Sequence, residues 1–124
     1  MTTLIERVRL SAVAKQQLST LKRRTGIEHY NVICRHALCV SLANPATVPD
    51  EQLNYGGGLE IEWRTFAGES ESILLNILIV RVIKDENEVS STSVRKTLQG
   101  HLHRGLSYLL ADPNSLHSKS LTTS

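Results

Sequence analysis

The chain predicts a mainly helical fold with a short β component, in the order strand, helix, helix, strand, helix, helix. Residues 31–42, NVICRHALCVSL, are apolar on nearly every side of a helix, so the rest of the chain, or other copies of it, must cover them. Val94, Leu98, Leu102, Leu106 and Leu109 line one face of a second helix and form the clearest amphipathic pattern present. Strict alternation is confined to Glu6–Leu10 and Leu59–Phe66, which read as short strands. At 124 residues these elements fit one core, and we expect one domain over residues 1–112 with a flexible Ser/Thr-rich tail at 113–124.

In the first strand Val8 and Leu10 fall on one side and Arg7 and Arg9 on the other. Ser11 offers a side-chain acceptor at a helix start, and Leu10, Val13, Ala14, Leu18 and Leu21 continue at helical spacing. Gly26 is a natural left-handed stop, and the turn to His29 leads into the apolar helix, which Asn44-Pro45 ends. A loop then runs from Pro45 to Gly58. Its Gly56-Gly57-Gly58 lacks the Gly-Lys-Ser/Thr continuation of a phosphate cradle and reads as a hinge or close-packing loop. The strand partner of Leu59–Phe66 is not evident. The run SESILLNILIVRVI has the length of a buried helix, with Ser70 or Ser72 as its cap, and Ser91 or Thr92 opens the last helix.

The net charge of +2 hides a segregation. Residues 1–49 carry seven Lys/Arg against Glu6 and Glu28, whereas residues 50–90 carry nine Asp/Glu against Arg64, Arg81 and Lys84. Arg7, Arg9, Lys15, Lys22, Arg23 and Arg24 fall in a stretch without one acidic residue. Such an arm suits contact with phosphates, although a solvated face is the commoner meaning of a basic cluster. No apolar run has signal-peptide or membrane-spanning length, so we expect a soluble cytoplasmic protein.

Chemistry-bearing residues point nowhere in particular. Cys34 and Cys39 diverge by about 140° on one helix, cannot bridge each other, and read as buried free thiols of low reactivity. His101 and His103 diverge by about 200° and cannot chelate one metal, so a surface or interface role is expected. Glu60 and Glu62 share a strand face as ordinary wet-side acids do. We therefore expect no catalytic residue, no cofactor and no metal.

The strand, basic helix, glycine turn and apolar helix of Glu6–Leu42 resemble a ribbon-helix-helix module. That resemblance implies two chains pairing their strands into a ribbon that enters the major groove, with Arg7 and Arg9 facing DNA. Glu28 departs from the pattern, because a carboxylate there repels the phosphate that the second helix usually approaches. A broader resemblance covers almost the whole chain: LKRRTGIEHYNVICRHALCVSL, then LEIEWRTFAGE, then HLHRGLSYLL look like the DNA sulfur modification protein DndE family. It implies a DNA-associated accessory subunit of the phosphorothioation system, working beside components that handle sulfur transfer and ATP, and a tetramer that prefers nicked duplex DNA.

The expectation is a homo-oligomeric DNA-binding subunit in which Arg7, Arg9, Lys15, Lys22, Arg23 and Arg24 contact phosphates. Ile33, Cys34, Ala37, Leu38 and Leu42 are expected at the interface between copies. The alternatives are a scaffold that binds only proteins, a ribbon-helix-helix regulator, and a small DNA-nicking enzyme.

Overall fold

The computed structural model describes residues 4–49 and 53–111; the tail expected from residue 113 onward lies outside them. Its elements are β1 (Arg7–Leu10), α1 (Ala12–Thr25), α2 (Tyr30–Leu42), β2 (Leu59–Glu62), α3 (Trp63–Ala67), α4 (Glu71–Lys84) and α5 (Ser91–Ala111). Mainly helical with one small sheet, this is the expected class.

Capping explains where the helices begin and end. Ser11 accepts a hydrogen bond from the Ala14 amide at 3.1 Å, and Gly26, with φ of 75°, stops α1 as expected. α5 opens at Ser91, one of the two starts expected, and is capped by Ser90. The Ser90 hydroxyl accepts from the Ser93 amide at 3.1 Å while Ser93 Oγ accepts from the Ser90 amide at 2.9 Å, a reciprocal box at the helix start.

The centre of the molecule is the crossing of α2 and α5. Every residue of the leucine stripe, from Val94 to Leu109, is buried, and so are Ile33, Cys34, Ala37 and Leu38 opposite. Gly105 lets the two backbones meet, since a Cβ there would overlap the Ala37 carbonyl. α1 closes one side with Ala14, Leu18 and Leu21, and α4 packs on α5 through Leu74, Leu78 and Val82.

β1 finds its partner in β2, antiparallel, with Arg7 opposite Glu62 and Arg9 opposite Glu60. The second strand is shorter than alternation indicated. The chain turns helical at Trp63, because a helical turn brings both Trp63 and Phe66 to the core, where their rings stack 5.7 Å apart; a continued strand would send them to opposite faces. The glycine loop is a close-packing one, as a side chain on Gly58 would overlap the Leu10 carbonyl. Strand, helix and helix do follow one another over Arg7–Leu42, but β1 does not offer a free edge to a second copy. Its outward amide at Arg9 donates to Gln99 Oε1 at 3.2 Å, and that of Ser11 donates to His103 Nε2 at 3.0 Å. α5 thus occupies the edge along which an intermolecular ribbon would form.

Candidate nucleic-acid interface

The basic arm divides into two groups. On α1, Lys15 and Arg23 are exposed on one flank, and Lys22, between them on the same side, holds its ammonium 4.8 Å above the Tyr30 ring. Arg24 is also exposed but leaves the helix about 180° from Lys15, so it extends the charge around the helix end. α1 carries no acidic residue, and its last turn is Lys22-Arg23-Arg24, where cations also favour the carbonyl end of the helix dipole.

Arg7 and Arg9 stand apart from this group on the wet face of the sheet. Arg7 Nη1 lies 3.4 Å from Glu60 Oε1 and Arg9 Nε lies 3.9 Å from Glu60 Oε2. The Arg9 guanidinium also covers the Tyr55 ring at 4.8 Å, and Tyr55 in turn accepts a hydrogen bond from Gln99 Nε2. A groove of about 690 Å³ opens here between β1 and the first turns of α5. Arg7, Arg9, Arg95 and Lys96 line it with Glu6 and Glu60. Arg95 and Lys96 escaped the sequence reading because 86 residues separate Arg95 from Arg9 and only the fold brings them to one groove.

The residues expected between copies are largely internal. Ile33, Cys34, Ala37 and Leu38 have no exposure within a single chain, and Leu42 is half-buried. The helix is apolar on most sides because α1, α3 and α5 of its own chain pack against it, leaving Val32 and Cys39 exposed. Among the described residues Val13 of α1, expected on the apolar side, is instead 65% exposed, and Val32, Val89 and Tyr108 are also exposed; the one stripe of such residues along a helix is on α4, where Ile73, Ile77, Val80 and Ile83 are 65, 40, 54 and 58% exposed.

His101 is also internal, not at the surface. Its Nδ1 lies 2.8 Å from Ser41 Oγ, which accepts from Arg104 Nε at 2.8 Å. Burial first, then the guanidiniums of Arg81 and Arg104, push its imidazole down to about 4. Those arginines close the end of α2: Arg81 donates to the carbonyls of Leu42 and Ala46, Arg104 to those of Ser41 and Ala46. Arg81 is balanced by Asp85 one turn on, at 3.2 Å. Burial raises the Cys34 thiol to about 12 against the opposing pull of Arg35; Cys39, by contrast, is exposed. Among the described residues no three His, Cys, Asp or Glu side chains converge as metal ligands would, and no helix is long and apolar enough to cross a membrane.

Comparison with known proteins bears on this geometry. The chain is similar in fold to the crystal structure of DndE from Escherichia coli B7A, a protein involved in DNA phosphorothioation modification. The match has a TM-score of 0.69 at 24% identity and covers 87% of this chain and 99% of that one. Among curated proteins there is no match. The sequence profile of the DNA sulphur modification protein DndE matches residues 7–117, nearly the full length described above. By that match the chain belongs to the DndE family of DNA sulphur modification proteins.

Proposed function

We propose that this chain is a homo-oligomeric, DNA-binding accessory subunit of the phosphorothioation machinery. Family membership supports the role in DNA phosphorothioation. The observation that carries DNA contact is the acid-free α1, with Lys15, Arg23 and Arg24 exposed and Lys22 held beside them. Each phosphate met by such a side chain releases condensed counterions, so binding is driven by salt-sensitive, sequence-independent attraction. Its DNA is duplex, with a preference for a nick, and its protein partners are the other phosphorothioation components.

Self-association uses the exposed side of α4. An isoleucine and valine stripe of this length is costly in water, and a symmetric assembly covers it while repeating the basic arm on one duplex. A tetramer satisfies both. The subunit supplies binding and positioning, not bond cleavage, and supercoiled plasmid incubated with it and a divalent metal is expected to remain uncut.

A titration of intact and nicked labelled duplexes across salt concentrations tests this reading. Affinity is expected to fall steeply as salt rises. Reversing charge at Lys15, Lys22 and Arg23 together is expected to weaken binding to every sequence while circular dichroism stays unchanged. Undiminished affinity in that folded variant would move the DNA site off α1. The α4 stripe also fits a protein partner, so wild-type protein that shifts neither duplex would favour a scaffold that never touches DNA.

A further inference from the structure

The wet face of the β1–β2 ribbon is electrically balanced, with Arg7 and Arg9 on one strand and Glu60 and Glu62 opposite them. Alone it is a poor seat for an anion. α5 changes the balance by bringing Arg95, with Lys96 beside it, to the same groove, so that Arg7, Arg9 and Arg95 alone already outnumber Glu6 and Glu60. The two oxygens of Glu60 point separately at the two arginines, 3.4 Å from Arg7 Nη1 and 3.9 Å from Arg9 Nε. A backbone phosphodiester presents a similar pair of anionic oxygens and the same single charge, followed along the duplex by further phosphates.

Resting on the DNA-binding reading above, we infer that the β1–α5 groove is a second phosphate seat for duplex DNA, and that Glu60 is its built-in competitor. The carboxylate holds Arg7 and Arg9 in place until a backbone phosphate displaces it, while Arg95 supplies the attraction that favours exchange. The displacement is easy: these ion pairs are long and their side chains roughly half exposed, and such pairs are screened and weak. The Thr92 hydroxyl on the groove wall can donate a further bond to a phosphate oxygen, whereas that of Ser91 already donates to the Leu4 carbonyl at 2.9 Å. Glu60 then sets the affinity at a level from which the subunit can dissociate, instead of leaving Arg7 and Arg9 permanently committed to DNA.

Titration of a short labelled duplex with the full chain separates the possibilities. Glu60→Gln is expected to tighten binding about fivefold, the scale of one exposed charge pair. Glu69→Gln removes an equal charge outside the groove and is expected to leave affinity within about twofold. Arg95→Ala with Lys96→Ala is expected to weaken binding and to flatten the dependence of log affinity on log salt by about one per lost contact. Should E60Q fold poorly by circular dichroism, Glu60→Thr, suited to a strand, takes its place. Equal gains from E60Q and E69Q would overturn the proposal, as would an R95A/K96A protein that binds like wild type while the α1 charge-reversal variant fails. Wild-type protein that binds no duplex even at low salt would instead overturn the reading on which the groove rests.

Discussion

His101 is buried beside Ser41 with two guanidinium groups for neighbours, and burial first, then those charges, favour its neutral imidazole. Its folded-state value of about 4 lies below the ordinary 6.5, so the unfolded chain takes up the proton first as pH falls. Stability from this site is therefore complete above about pH 6.5, declines below it, and is lost by about pH 4, a span worth roughly 2–3 kcal/mol. Urea midpoints measured from pH 7 to pH 4 should fall accordingly, and His101→Gln should be less stable at pH 7 yet flatter across that range. A histidine visible in sequence beside a second histidine gave no sign of this. Its partner Ser41 lies 60 residues away, and a serine in an apolar helix advertises nothing until the fold sets Arg104 against it.

The helices were largely legible, because burial periodicity is a local signal: the leucine stripe of α5, the cap at Ser11 and the apolar run that became α4 could all be read along the chain. Pairings were not. β2 lies beside β1 although 48 residues intervene between Leu10 and Leu59, and α5 reaches the edge of β1 through side chains, Gln99 and His103, that no pattern singles out. The α2–α5 crossing depends on Gly105, whose missing side chain is invisible to a hydrophobic pattern. Gly105→Ala raises helix propensity but forces a methyl into the Ala37 carbonyl. Packing wins this contest: overfilling a tight contact costs on the order of 1–3 kcal/mol, more than the roughly 1 kcal/mol that alanine contributes in a helix. A lower denaturant midpoint with an unchanged slope is the expected result, and a more stable G105A protein would mean that the helices separate without penalty.

For the whole molecule, the surplus of apolar surface expected from the sequence is present but elsewhere. α2 is covered by its own chain except near Val32, and α4 keeps Ile73, Ile77, Val80 and Ile83 turned outward. This difference separates two substitutions that would otherwise read alike. Leu38→Lys buries an ammonium at a site with no exposure and should unfold the protein, so its oligomeric state carries no information about assembly. Ile77→Glu places a carboxylate on an exposed helix face, where the single chain tolerates it but a partner's apolar surface does not. In analytical ultracentrifugation at micromolar concentration the wild type should sediment as an oligomer and I77E as a folded monomer. Because assembly repeats the α1 cations on one duplex, the monomer should also bind DNA at least tenfold more weakly, with a shallower salt dependence. An I77E protein that stays oligomeric would move the interface off α4; a folded I77E monomer that binds DNA as tightly as wild type would break the link between assembly and binding.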